Sequence, residues 1–169
     1  MSLPLPEITP EITPEITLEA IPEAIPEAIP KVTMAILYQE GRFLMQLRDD
    51  FPHIIYPGVW GFFGGHIEAR EQADVGIRRE LQEEIGYVPA QLNLFCEQMD
   101  SKVHRYFYHG ALTVPVSSLQ LNEGQDMALC SVDEIRAGKK YSDRLGEMRS
   151  LGKPHQQALL TFISNINYQ

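Results

Sequence analysis

The sequence has few cysteines and no pattern that would bring them together. Cys96 and Cys130 are the only two, with no C-x-x-C spacing and no grouping with histidine. Zinc ribbons and dithiol redox motifs require such spacing, so neither is indicated. Isolated thiols are typical of a reducing compartment, and we therefore expect a cytoplasmic protein.

Long apolar runs and a leader-like N-terminus are also lacking. No stretch approaches the roughly 20 apolar residues of a membrane-spanning helix. The first residues lack the basic and apolar regions of a signal peptide. We therefore expect neither a membrane anchor nor a secretion signal.

Basic charge is scarce and unevenly distributed. The formal net charge is −9, and the first thirty residues contain six glutamates but no lysine, arginine or aspartate. Residues 31–169 carry 17 acidic and 14 basic side chains, which is nearly balanced. This leaves no basic surface for a nucleic-acid polymer, whereas a single nucleotide needs only a local pocket. With 44% hydrophobic and 22% charged residues, the composition fits one globular domain over 31–169.

The N-terminal arm, residues 1–30, is set apart by a repeat. From residue 6 it reads PEITPEITPEITLEAIPEAIPEAIP, with proline at six of the seven repeat positions. Proline at this frequency is incompatible with an ordinary helix and favours an extended or polyproline-II conformation. Isoleucines recur every four residues, for which a purely solvated linker has little use. We therefore hypothesise that the arm packs on a sheet edge or contributes to a homodimer.

The rest of the chain predicts strands around one helix, with a second helix at the end. Residues 32–39 and 42–49 indicate two strands joined by a turn, and a Pro/Gly-rich loop leads into a short aromatic strand before residue 65. Further strands are predicted at 91–98 and 102–114, a capped helix start at Ser131, and an amphipathic helix from Lys153 to Ile166. Residues 141–152 are polar and are expected to form a loop.

A helix predicted from Gln72 to Gly86 carries a stripe of acids. Glu80, Glu83 and Glu84 are spaced i, i+3 and i+4, which places three carboxylates on one side of a helix. Such a stripe repels itself, and a solvated acidic face is the ordinary interpretation. A divalent cation with hard oxygen ligands, Mg²⁺ or Mn²⁺, would relieve the repulsion.

The spacing around this helix resembles the Nudix box, G-x5-E-x7-R-E-U-x-E-E-x-G-U, in which U is bulky and apolar. The matching positions are Gly65, Glu71, Arg79, Glu80, Leu81, Glu83, Glu84, Ile85 and Gly86, with Tyr87 as a mild departure at the last apolar place. The resemblance implies an α+β fold, an α/β/α sandwich whose mixed central sheet has the box helix and the C-terminal helix packed on it.

The implied activity is Mg²⁺-dependent hydrolysis of a nucleoside diphosphate linked to another group, giving a nucleoside monophosphate and the phosphorylated remainder. Mn²⁺ is an alternative cofactor. A nucleoside triphosphate or oxidised deoxynucleotide is the expected substrate. The alternatives are a nucleotide sugar, a dinucleoside polyphosphate, and a module that senses a nucleotide without cleaving it.

The resemblance also assigns roles to individual residues. The expected catalytic residues are Arg79, Glu80, Glu83 and Glu84, with any one carboxylate able to serve as general base. The expected metal ligands are Gly65 through its carbonyl, Glu80, Glu83, Glu84 and Glu123, the last of which could equally be a surface-turn residue. Arg79 lies four residues before Glu83 and can reach it along the helix, and Glu71 is expected to support the loop.

Three residues outside the box are candidates for substrate contact. The resemblance implies that Arg48 and the loop at 49–59 lie near the substrate. Trp60 could stack on a base or lie in the core. Tyr106 could line a base pocket, although aromatic residues alternating along a strand more often pack within the sheet. His53 and His66 lack a second ligand at metal spacing and are interpreted as ordinary polar positions.

Overall fold

The computed structural model describes residues 28–166. The predictions made for the arm over residues 1–27 lie outside this range.

A seven-stranded mixed sheet forms the centre of the domain. Its strands are β1 (Lys31–Gln39), β2 (Arg42–Leu47), β3 (Trp60–Gly61), β4 (Phe63–His66), β5 (Asn93–Met99), β6 (His104–Ala111) and β7 (Asp126–Cys130). β1 is antiparallel to β2 and β4 and parallel to β6. β5 lies outside β6, and β3 and β7 pair with β2.

The first hairpin is confirmed, with Leu37 opposite Leu44. Its turn places Glu40 at φ 50° and Gly41 at φ 72°.

The helices begin and end where local chemistry favours it. They are α1 (Ala73–Ile85), α2 (Val132–Ala137) and α3 (Lys153–Ile166). α1 ends at Gly86, which adopts the left-handed conformation with φ 64° and donates its N–H to Gln82. α2 begins with the predicted capping box, in which Ser131 and Glu134 satisfy each other's backbone N–H groups.

The sheet is covered on both faces, which confirms the α/β/α arrangement. Ile77, Leu81 and Ile85 of α1 pack against one face in a core that includes Phe63 and Tyr108. The opposite core combines residues of α2 and α3 with aromatic side chains of the sheet: Ile135, Leu159, Phe162, Trp60, Phe62 and Phe107.

The segment expected to be a loop at 141–152 is instead mostly a β-hairpin, so that prediction was wrong. Its strands are β8 (Lys139–Ser142) and β9 (Glu147–Ser150). They are polar and lack the alternating apolar pattern from which strands are recognised. Ser142 holds the turn by accepting the N–H of Leu145 at its hydroxyl and the N–H of Gly146 at its carbonyl. The same hydroxyl donates to Asp126 at 2.6 Å.

None of the helices between residues 28 and 166 is long and apolar enough to cross a membrane.

Candidate active site

Arg79 connects the helix α1 to the loop that precedes it. Its guanidinium donates hydrogen bonds to both carboxylate oxygens of Glu71, from Nε–H to Oε1 at 2.8 Å and from Nη2–H to Oε2 at 2.9 Å. It also donates to the carbonyl of His66 at 3.0 Å. These hydrogen bonds lower the pKa of Glu71 to about 2 and raise the pKa of Arg79 above its usual range. The loop between β4 and α1 is therefore held by a fixed ion pair.

Glu71 performs the supporting role expected of it. Besides the bonds from Arg79, its Oε2 accepts the N–H of Glu68 at 2.9 Å. The carboxylate lies against Gly76, where a Cβ would approach Oε2 to 3.0 Å. This contact explains why a glycine is found inside α1 despite a cost of about 1 kcal/mol relative to alanine.

Glu80 is the second carboxylate bound by Arg79, with Oε1 2.8 Å from Nη1. Its side chain is largely buried, and burial raises its pKa despite that bond. Gly65 lies directly against it, since a Cβ on Gly65 would come within 2.7 Å of the carboxylate. The end of β4 at Gly65 and the acidic stripe of α1 are thus in close contact.

Glu83 is the most exposed of the three acids on α1. Its side chain is 60% exposed, and Oε2 lies 3.4 Å from Nη1 of Arg79. The expected pair between Arg79 and Glu83 is therefore present, but it is longer than the pairs with Glu71 and Glu80. Glu83 is left mainly open to solvent and ligands.

Glu84 is buried where α1 packs against β4. It is 3% exposed, and its Oε2 accepts the N–H of Gly64 at 2.8 Å. Burial raises its pKa to about 8, and the charges of Glu123 and Glu80 contribute in the same direction. Glu123, which lies on the loop before β7, therefore belongs to the same electrostatic cluster.

Glu80, Glu84 and Glu123 form an acidic cluster whose chemistry fits a hydrated divalent cation. Between residues 28 and 166, no three acidic, histidine or cysteine side chains converge into a ready-made metal cage. The cluster nevertheless supplies hard oxygen donors, and burial together with the charges of neighbouring glutamates raises the pKa of Glu80 and Glu84. Mg²⁺ commonly retains several waters and binds jointly to one or two carboxylates and substrate phosphates, so a preformed cage is not required.

A cavity of about 330 Å³ opens beside the end of β4. Its wall near the acids includes Gly64, Gly65, His66 and Glu123. Three cationic side chains also line it, Arg48, Lys102 and Arg105, together with apolar and aromatic residues that include Tyr56, Phe62 and Phe107. A carboxylate, positive charge and aromatic surface therefore meet in one cavity.

Arg48 lies at this cavity. Its Nε donates to the carbonyls of Ile55 and Tyr56, each at 3.2 Å, and so orders the loop that closes one side. Its charge also acts to lower the pKa of Glu84. Arg48 is thus near both the cavity and the acids.

Two other predicted substrate residues are located elsewhere. Trp60 is fully buried, with its indole N–H donated to the carbonyl of Lys140 at 3.1 Å, so its core interpretation is the one the structure supports. Tyr106 packs against the core under α1, on the face of β6 opposite the cavity. Side chains alternate along a strand, so the adjacent Arg105 and Phe107 face the cavity instead.

The sequence singled out none of four further residues that line the cavity: Lys102, Arg105, Phe107 and His155. The alternation along β6 separates Arg105 and Phe107 from Tyr106, but it does not say which face carries the site. The parallel register that pairs Val32 with Arg105 decides this. His155 is contributed by α3, and the sequence had no signal that α3 reaches the cavity.

Comparison with known families identifies the class. The model of the family described as the NUDIX domain matches residues 29–149. The chain belongs to the Nudix family, and its class is that of pyrophosphohydrolases acting on nucleoside diphosphate derivatives. Enzymes of this family generally use divalent metal cations.

Solved structures share the fold at low sequence identity. A MutT NUDIX hydrolase from Burkholderia pseudomallei is 18% identical, with a TM-score of 0.60 over 79% of this chain and 97% of that chain. A MutT protein from Methanosarcina mazei Go1 is 18% identical, with a TM-score of 0.62 over 86% and 100%. The NUDIX domain of Shewanella oneidensis NrtR, solved in complex with ADP ribose, is 18% identical, with a TM-score of 0.63 over 83% and 90%. No curated protein matches the chain.

Proposed function

We propose that this protein is a Mg²⁺-dependent hydrolase that cleaves the diphosphate linkage of a nucleoside diphosphate derivative into a nucleoside monophosphate and a phosphorylated remainder. The observation that carries the proposal is that the acidic cluster of Glu80, Glu84 and Glu123 adjoins the cavity, whose lining includes Glu123. Glu84 and Glu123 interact electrostatically there, and Glu123 shares the cavity lining with Arg48. A diphosphate needs this combination of metal ligands and counter-charges.

We infer a separate role for each of the residues around the acidic cluster. Glu80, Glu83 and Glu84, with Glu123 and the carbonyl of Gly65, would hold the metal. A bound cation would polarise the phosphates and lower the pKa of a coordinated water. Arg79 keeps Glu80 in position through the 2.8 Å bond. Arg48 stabilises negative charge on the phosphates, and one of the box carboxylates accepts the proton of the attacking water.

A nucleoside triphosphate or oxidised deoxynucleotide is the substrate class we favour. Three cations line the cavity, Arg48, Lys102 and Arg105. Arg105 is paired with Asp100 at 2.8 Å, while Lys102 forms no ion pair within residues 28–166. A triphosphate carries more negative charge than a nucleotide sugar and would make fuller use of such a wall. A nucleotide sugar and a dinucleoside polyphosphate are the alternatives.

The test is a panel of nucleotides incubated with Mg²⁺ or Mn²⁺, with products separated by chromatography so that the cleaved bond is identified. We expect monophosphate products with Mg²⁺ and none with EDTA. Glu83→Gln and Glu84→Gln should each lose most of the metal-dependent rate while the circular dichroism spectrum is unchanged. Near-normal turnover in both variants would refute the assignment.

The same panel distinguishes a non-catalytic sensing module. Such a module would bind a nucleotide and release no product. An intact set of box acids, including Glu80, Glu83 and Glu84, favours the enzyme.

We also propose that residues 31–169 are a single catalytic domain and that the arm at 1–30 contributes to a homodimer. The mass of the full chain in solution, compared with that of a chain beginning at Lys31, tests this. An unchanged mass and melting temperature would exclude it. A reducing, cytoplasmic setting is part of the same proposal, supported by the free thiols of Cys96 and Cys130.

A further inference from the structure

His155 occupies the wall of the cavity, although the proposed chemistry does not use it. It lies in the first turn of α3 and is 7% exposed. One ring edge faces the backbone between β3 and β4, where the N–H of Phe62 donates to Nδ1 at 3.2 Å. Nε2 has no hydrogen-bond partner within residues 28–166, and His155 is one of the residues that line the cavity.

The bond from Phe62 fixes the tautomer of this imidazole. A backbone N–H can only donate, so Nδ1 must present a lone pair and the ring proton must be on Nε2. Burial, together with the charges of Arg48 and Arg105, lowers the pKa of His155 to about 3. The ring is therefore neutral at ordinary pH, and Nε2–H is a permanent donor that cannot become an acceptor.

The imidazole is also fixed in place. A Cβ on Gly61 would lie 3.3 Å from Nε2, and a Cβ on Gly152 would lie 2.9 Å from Cδ2. Both values are tight, so the two glycines provide the room that the ring occupies. A donor held this closely selects among ligands by geometry as well as by polarity.

The surroundings of the donor suit a planar ring. Phe62 and Tyr56 stand edge-on to His155, with centroids 5.1 and 6.3 Å away, and Phe107 lines the same cavity. Aromatic surface of this kind accepts a nucleobase by stacking. Nε2–H is the fixed polar group that such a base would meet within this aromatic part of the cavity.

We propose that His155 is a specificity-determining residue that donates Nε2–H to a carbonyl oxygen of the substrate's base. The inference rests on the proposed function, since it requires that the base of the nucleotide enters this cavity. A base with an amino group at the same position would place a donor against a donor. The unpaired groups would then weaken binding, so the site selects oxo bases over amino bases.

The experiment compares oxo and amino bases carried on the same phosphate chain. The probes are inosine and adenosine triphosphates, and uridine and cytidine triphosphates, followed by hydrolysis with Mg²⁺ and by calorimetric binding. We expect the oxo member of at least one pair to be favoured by about tenfold. Equal hydrolysis rates and equal affinities for the oxo and amino members of both pairs would overturn the proposal.

Two variants of His155 test the acceptor role of Nδ1 and the donor role of Nε2 separately. His155→Asn keeps an oxygen near the position of Nδ1 to accept from Phe62, but has no donor at the position of Nε2. His155→Gln places an amide donor near Nε2 instead. Loss of the oxo preference in the Asn variant with retention in the Gln variant supports the proposal, whereas a preference that survives in the Asn variant overturns it.

Failure of this inference is distinguishable from failure of the proposed function. If no member of the wider nucleotide panel is hydrolysed, the hydrolase assignment fails, while binding of the oxo and amino pairs still tests His155. If nucleotides are hydrolysed without an oxo preference, only the role of His155 fails.

Discussion

Arg79 and Glu71 form a two-pronged ion pair across eight residues of sequence, with N–O distances of 2.8 and 2.9 Å. A pair of this shape fixes both planar groups and is stronger than a single-bonded pair. The arginine therefore has its main carboxylate partner before α1 begins. Its contact with Glu83, at 3.4 Å, is secondary.

Replacing Arg79 by lysine should separate charge from geometry. Lysine keeps the positive charge but cannot bind Glu71 at two points while also reaching Glu80. We expect turnover to fall by about 10- to 100-fold, as is common when a partner of a metal ligand is lost. Arg78→Lys is the matched control, because Arg78 is exposed and its one side-chain hydrogen bond within residues 28–166 is to the carbonyl of Pro89 at 3.5 Å. Equal effects of the two substitutions would contradict the positioning role.

The stability of the metal-free protein should depend on Glu84. Its pKa is about 8 in the folded chain against an ordinary value of 4.5. The folded state therefore binds the extra proton, and the resulting stability is complete below pH 4.5 and is lost as pH rises through 8. We expect the free energy of unfolding in EDTA to fall by about 1.4 kcal/mol in total between pH 7 and 9, with most of the fall below pH 8. Glu84→Gln should remove this fall.

Urea unfolding at pH 7 and pH 9 checks the prediction. Glu83→Gln is the control, because that side chain is 60% exposed and should keep the wild-type slope. His155 has little effect in this window, because its folded-state pKa of about 3 and its ordinary value of 6.5 both lie below pH 7. If wild type and Glu84→Gln show the same slope, the carboxyl does not hold the proton.

The contact between Gly65 and Glu80 predicts the effect of a single methyl group. Alanine at position 65 would place Cβ 2.7 Å from the Glu80 carboxylate and force it to move. We expect a loss of activity of about tenfold or more. In Glu80→Gln the same substitution should cost less, because two changes at one contact are not additive. Gly41→Ala is a control with no atom within 4 Å of the new Cβ, although its φ of 72° should cost some stability. Additive losses in the double variant would argue against the contact.

Arg149 should affect substrate binding from a distance. It donates to the carbonyl of Gly58 at 3.2 Å and lies 3.4 Å from Asp50, so β9 holds both ends of the loop that carries Ile55 and Tyr56 to the cavity. We expect Arg149→Ala to raise KM about three- to tenfold with little change in kcat, since loop order is lost and the metal ligands are untouched.

The matched control for this variant is Arg136→Ala. Arg136 pairs with Asp133 at 3.7 Å, and both side chains are well exposed. It should leave both kinetic constants unchanged. A lower kcat with unchanged KM in Arg149→Ala would show that the hairpin acts on the chemistry instead.

The sequence predicted those parts of the fold that local chemistry determines. The end of α1 at Gly86 and the start of α2 at Ser131 follow from capping, which involves neighbouring residues only. The acidic stripe likewise follows from helical spacing. The hairpin β8–β9 was missed because its strands are polar and are held by side-chain bonds such as that from Ser142 to Asp126.

Of the candidate site, the sequence predicted the acids of the Nudix box but not the make-up of the cavity. Those acids share one helix, so their spacing in sequence is their spacing in space. The cavity is built from different elements, and its composition depends on which face of β6 meets α3. Periodicity could not distinguish Tyr106 from Arg105, because both faces of a central strand in this sheet are covered.

The position of β1 has a consequence for how the chain folds. β1 is the first strand after the arm, yet it pairs in parallel with β6, whose residues lie 73 positions later, as Lys31 with His104. Contacts between such distant segments require closure of a long loop before they stabilise anything, which slows folding. During synthesis, β1 can pair with β2 at once but must wait for more than seventy further residues to complete its other edge. That exposed edge is where we expect a nascent chain to be most prone to aggregate.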